Sequence, residues 1–113
     1  MQYELVKCID IAETMYQRRH KLGAFHYIDG NEEAFVFNGN LHREDAPAVI
    51  WHYENKTVKQ EGYFMNDGRH NENGPAVVHY NEKGEVEYEQ YFLNHIEYLK
   101  ENYYKQIQTK LYW

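Results

Sequence analysis

An ungapped shift of 28 residues lays His42 on His70, Pro47 on Pro75, Ala48 on Ala76 and Val49 on Val77, and this internal repeat constrains the fold more than any other feature. The register persists downstream, where Glu54, Val58, Glu61, Tyr63 and Phe64 match Glu82, Val86, Glu89, Tyr91 and Phe92. Asn38, Asn66 and Asn94 recur at the same step. Chance does not hold register this long. Upstream, Phe25 to Gly30 followed by Phe35 to Gly39 reads as the same unit with a shorter connection, and Arg19-His20-Lys21 with Gly23-Ala24 reads as its eroded opening. There are two good copies and one degenerate one.

Each unit reads as two strands. Ala48 to Tyr53 is rich in β-branched and aromatic residues and is followed by the polar turn Glu54-Asn55-Lys56; the second copy runs from Ala76 to Tyr80 and then through Asn81-Glu82-Lys83-Gly84. The return strands are Val58 to Met65 and Val86 to Leu93. Asn38-Gly39 and Asn66-Asp67-Gly68 then supply residues that tolerate positive φ where the chain reverses. Alternation puts Phe35, Phe37, Tyr63, Met65, Tyr91 and Leu93 on one face and Val36, Phe64 and Phe92 on the other. Both faces carry apolar material, so a single-layer meander needs a cover.

The terminal segments suit that task. Asn94 and Glu97 have capping-box spacing, and Ile96, Leu99, Tyr103, Ile107 and Leu111 fall at helical steps, which predicts an amphipathic C-terminal helix. Asp10-Ile11-Ala12-Glu13 resembles a helix start, with a short helix ending before about Gly23. The expected organisation is a single domain over 1–113: a helical or eroded-repeat segment at 1–22, β-hairpin repeats at 23–94 and a C-terminal helix at 95–113. At 113 residues and net charge −6, the chain is bounded to one small acidic domain. Its aromatic content is mostly tyrosine, 12 Tyr against 5 Phe and 2 Trp, which favours sheet faces and interfaces over an oily helical core. No run is long enough to span a bilayer and the N-terminus lacks the order of a secretory signal, so the expectation is a soluble cytoplasmic protein. The lone Cys8 fits a reducing compartment and reads as a small buried hydrophobe.

The segment Asn38-Gly39-Asn40-Leu41-His42-Arg43-Glu44-Asp45-Ala46-Pro47-Ala48 resembles the "NGxxHRxDGPA" repeat of MORN-repeat-variant proteins of bacteriophages and bacteria, which include antitoxin-like proteins. Asn66 to Ala76 matches with substitutions, and the resemblance covers roughly residues 19–98. Ala46 stands where the motif has glycine, and Asn71 where it has arginine. The resemblance implies stacked β-hairpins; with the 28-residue step and the two terminal helices read above, the expected fold is mainly β (α+β), a MORN-like antiparallel β-hairpin meander of period 28 with a C-terminal amphipathic helix and a short N-terminal one. It also implies interaction, scaffold or toxin-neutralising roles. His42, Pro47, His70, Gly74 and Pro75 are then structural motif residues, proline shaping the strand entry and histidine bonding the loop.

Chemistry finds little foothold in the sequence. His52 with His79, or His42 with His70, could approach across strands, but no short ligand cluster accompanies them, and loop-bracing histidines need no metal. The acidic pairs are related by the repeat, whereas a catalytic pair needs different environments; no nucleophile elbow, P-loop or dinucleotide fingerprint is present. The expectation is no enzyme, no cofactor and no metal. Aromatics with Arg18, Arg19, Lys21, Arg43 and Arg69 argue for nucleic acid, and the acidic balance argues against it. The leading reading is a noncatalytic protein-binding module with Trp51, Tyr53, Tyr63, Tyr80 and Tyr91 as anchors and Glu54, Glu61, Glu82 and Glu89 as steering charges. In its most specific form it is a phage-encoded inhibitor of a host defence protein, or an antitoxin-like protein. The alternative is a self-assembling homodimer formed through an open sheet edge or apolar face.

Overall fold

The computed structural model describes residues 1–8 and 11–110, so Asp10 and Leu111 lie outside the described residues. The protein is mainly β with two helices, and β-branched and aromatic runs alternate with Asn/Gly turns along the chain. Three hairpins form its centre: β2 (Ala24–Asp29) with β3 (Glu32–Phe37), β5 (Val49–His52) with β6 (Val58–Gly62), and β9 (Val77–Tyr80) with β10 (Val86–Leu93). They join edge to edge in the order β2-β3-β5-β6-β9-β10. A parallel strand, β1 (Glu4–Lys7), flanks β2, and an antiparallel one, β11 (Ile96–Tyr98), flanks the end of β10, giving a mixed sheet. Short pieces complete the strands: β4 (Asn40–Leu41) returns on β3, and β7 (Phe64–Met65) pairs with β8 (Gly68–Arg69).

The turns are alike because their residues are. Asn38, Asn66 and Asn94 all have φ 49°, followed by Gly39 at 85°, Asp67 at 67° and His95 at 67°. Consecutive left-handed residues twist with the strands, and asparagine accepts that backbone most readily after glycine. Several hydrogen bonds also have counterparts 28 residues on. Phe35 N–H to Ala48 O is matched by Tyr63 N–H to Ala76 O, and Arg43 N–H to Phe64 O by Asn71 N–H to Phe92 O. Asp67 N–H to Leu41 O is matched by His95 N–H to Arg69 O.

This turn chemistry corrects the expected C-terminus. Asn94 is no helix cap: with His95 it closes a hairpin in which Leu93 pairs with Ile96. Residues 96–98 are therefore strand, and the helix, α2 (Lys100–Lys110), begins five residues later than the expected 95. Ile96 and Leu99 consequently stand exposed, while Tyr103 is the side chain that α2 buries. At the other end, α1 (Ile11–His20) absorbs Arg19 and His20, which therefore do not open a strand, and the chain leaves it through Gly23 at φ 114°.

α1 covers one face of the sheet over β2 and β3 only, and α2, with Tyr3, covers part of the other face. Beneath α1, Phe25, Tyr27, Ala34 and Val36 make a buried cluster with Val6, Cys8 and Leu41 against it. Arg18 and Lys21 lie over the Tyr27 and Phe25 rings. A second cluster, Ala76, Val77 and Phe92 with Tyr63, sits toward β10. Phe35 lies on the opposite face, stacked on His26 and beneath Arg43 at 3.7 Å, with Tyr3 edge-on. Ala48 and Ala76 are wholly buried where the chain enters β5 and β9, and a larger side chain there has no space.

Candidate functional site

Strand register sorts the expected site residues by face. Trp51 pairs with Gln60, Gln60 with His79 and His79 with Tyr88, so these four side chains form one row across β5, β6, β9 and β10. The row continues onto Glu32, which Arg18 of α1 meets at 3.4 Å. Beyond that contact the row is open: Trp51 is 40% exposed and Tyr88 50% exposed. The His79 and Tyr88 rings stack at 3.9 Å, and burial, opposed by the Glu87 carboxylate and aided by Lys59, holds the His79 imidazole below its ordinary value. His79 is thus neutral at physiological pH, and Trp51, Gln60, His79 and Tyr88 make an uncharged strip, three of the four aromatic, with acidic hairpin ends beside it.

The other expected anchors sit differently. Tyr53 is half-buried, and its hydroxyl donates to the Tyr80 carbonyl at 2.7 Å. Tyr80, also half-buried, donates to Glu61; burial and that carboxylate push its phenol well above the ordinary tyrosine range. Tyr63 packs on the second core cluster. Tyr91 is 5% exposed, with Tyr103 and Tyr104 of α2 at 4.9 and 5.8 Å, so its ring is a packing element. Of the acidic residues, Glu61 is engaged with Tyr80, Glu54 accepts from Asn31 at 2.9 Å, and Glu82 and Glu89 are exposed.

The motif residues brace loops. His42 is buried, and its Nδ1 accepts the Asn66 N–H at 3.1 Å; His70 Nδ1 accepts the Asn94 N–H at 2.9 Å. The carbonyl of Pro47 accepts from Arg43, and that of Pro75 from Asn71, the residue that replaces arginine. Gly74 donates its N–H to the Tyr103 hydroxyl at 3.1 Å, which ties α2 to the second motif loop. His52 and His79 fall on opposite faces, and no group of three His, Cys, Asp or Glu among the described residues is arranged to hold a metal. Among the described residues, no helix is long and apolar enough to cross a membrane.

Sequence reasoning missed two arrangements. Tyr88 completes the aromatic row; its only signal is the two-residue alternation through β10, because its counterparts 28 and 56 residues upstream are Gln60 and Glu32. Glu33 bridges two histidines across three strands, His26 Nε2 at 2.9 Å and His52 Nε2 at 2.8 Å. Burial alone would raise the Glu33 carboxyl, but the two histidine hydrogen bonds and their charges outweigh it and hold the group below its usual range. Glu33 and Glu61 occupy matching positions, each bonded by a residue 19 further on, His52 or Tyr80. Compared with protein-family models, curated proteins and solved structures, the chain gives no match.

Proposed function

We propose that this protein is a noncatalytic protein-interaction module, built as a MORN-like β-hairpin meander of period 28, whose docking face is the row Trp51, Gln60, His79 and Tyr88. The observation that carries the reading is the exposure of two large rings on a sheet whose register fixes their spacing. Rigid aromatics contribute interface energy at low cost in side-chain entropy, and the net charge of −6 steers encounter with a basic surface. The turns and hydrogen bonds that recur 28 residues apart support the repeat architecture. In the setting that the sequence resemblance implies, a bacterial cytoplasm, the partner is a host defence protein or a toxin that this chain neutralises.

A tagged capture from nuclease-treated bacterial lysate, run in parallel with Trp51→Ala, tests the reading. The expected result is a stoichiometric partner that the variant loses while its melting free energy changes by no more than about 1 kcal/mol, as for a surface position. Recovery of the protein alone as a defined oligomer would replace the module with a self-assembling homodimer.

A further inference from the structure

We infer that the outer edge of β10, over Val86–Gln90, is an acceptor site for an extended segment of another protein, which binds as an added antiparallel strand. The inference rests on the interaction-module reading and specifies its mode of binding. β3 and β6 show what such an edge takes. On β3, Glu32, Glu33 and Ala34 pair with Trp51, Ile50 and Val49; on β6, Gln60, Glu61 and Gly62 pair with His79, Val78 and Val77. The matching residues of β10, another 28 along, are Tyr88, Glu89 and Gln90. β11 reaches only Tyr91, Phe92 and Leu93, so among the described residues no strand pairs with the outer side of Tyr88–Gln90. The residues that would have supplied one, 105–107, are in α2 instead.

The two internal strands define the chemistry of the occupant. Pro-Ala-Val-Ile-Trp-His covers β3 and Pro-Ala-Val-Val-His-Tyr covers β6. In each, the last residue bonds the glutamate of the edge it covers, His52 to Glu33 and Tyr80 to Glu61. Glu89 occupies the same position on β10, is exposed, and receives no side-chain hydrogen bond from the described residues. The expected occupant therefore carries a donor facing Glu89, an imidazole, hydroxyl or ammonium, and an aromatic one residue before it, which extends the row past Tyr88. Next to this edge, a groove of about 300 Å³ lined by Glu89, Gln90, Glu97, Leu99 and Lys100 gives the incoming chain room. A second copy is the poorer occupant, because an antiparallel β10 would set Glu87 and Glu89 against the same carboxylates.

The probe is a fluorophore-labelled synthetic peptide of residues 73–81, titrated into the full-length protein by anisotropy and by amide hydrogen exchange. Saturable binding is expected, with exchange slowed over Val86–Gln90. Glu89→Lys should weaken it at least about tenfold with an unchanged melting temperature, since it removes the acceptor and places a lysine on an exposed edge. Absence of saturation, slowed exchange at the opposite edge strand Glu4–Lys7, or a dimer whose Val86–Gln90 amides are slow without peptide would each overturn the site. A lysate partner lost by Trp51→Ala but retained by Glu89→Lys overturns the strand site and leaves the module standing. Peptide binding with no lysate partner supports the strand site and removes the module reading.

Discussion

Replacing His42 tests the load that the histidine loops carry. The ring is 7% exposed, packs 5.9 Å from Phe37, and presents Nδ1 to the Asn66 N–H at 3.1 Å, which places its proton on Nε2. That N–H begins a turn in which Asn66 and Asp67 both hold positive φ, and the bond joins the Asp67 N–H to Leu41 carbonyl and Leu41 N–H to Asp67 carboxylate bonds in holding it. His42→Ala removes the acceptor, about 1 kcal/mol because Asn66 lies at the surface where water can replace it. It also removes a buried ring, about 1–2 kcal/mol. Together, about 2–3 kcal/mol should lower the melting temperature on the order of 10 °C. His42→Asn keeps an acceptor at the same number of bonds from the backbone and should recover about 1 kcal/mol of this. His70→Ala should cost about 1 kcal/mol, since its ring lies nearer solvent and bonds an exposed turn. Thermal melts and exchange at the Asn66 amide measure all three. If His42→Asn melted no higher than His42→Ala, and the Asn66 amide exchanged equally in wild type and both variants, the bracing argument would fail.

Gly39 and Gly84 make a matched pair, both at φ 85°; a Cβ on Gly39 would come within 2.4 Å of the Arg19 carbonyl, whereas one on Gly84 meets nothing. Gly84→Ala should cost about 1–2 kcal/mol from backbone strain alone, and Gly39→Ala a further 1–3 kcal/mol or so, with loss of helical circular dichroism as α1 is displaced. Glu33 is held below its ordinary carboxyl value of 4.5, so its contribution is complete above that pH and is lost as pH falls through its folded value. Glu33→Gln should therefore destabilise at pH 7, on the order of 1 kcal/mol, and match wild type once the carboxyl is protonated in both states, as urea melts at several pH values would show. Burial beneath α2, then the Glu89 charge and the Tyr104 hydrogen bond, push Tyr91 up to about 12. A raised acid stabilises below its unfolded value near 10 and loses that stabilisation as pH climbs through 12, so Tyr91→Phe should remove a late step from the ultraviolet titration of the tyrosines.

The hairpins were legible because their signals are local: β-branched runs, Asn/Gly turns and a fixed step. Val86 to Leu93 is a strand over those same residues, whereas the run from Val58 breaks after Gly62, where a Cβ would strike the Phe64 ring. The parallel strand β1 was not legible, since Glu4–Lys7 finds its partner only after α1 has crossed the sheet. The late start of α2 was missed for a physical reason. Ile96, Leu99 and Tyr103 have helical spacing, but the two-residue turn at Asn94-His95 commits the next residues to pairing with β10 before a helix can nucleate.

Two of the expected anchors, Tyr63 and Tyr91, stand 28 residues apart. Residues that return at the 28-residue step serve turns, as Asn38, Asn66 and Asn94 do, or contact the neighbouring hairpin. Tyr63 and Tyr91 recur, and both are packed inward; Glu33 and Glu61 recur, and both bond a side chain from the next hairpin. The row proposed for docking behaves oppositely. Its residues on β3, β6 and β10 are Glu32, Gln60 and Tyr88, three chemistries at one repeat position. The first is occupied by Arg18 of α1, and the last is half exposed. Glu89 joins the two cases, because it keeps the recurring side chain but lacks the recurring neighbour. Positions 28 residues apart diverge in chemistry and the run of paired hairpins ends on the same strand, β10, which is why the proposed docking row and the proposed strand site both involve it.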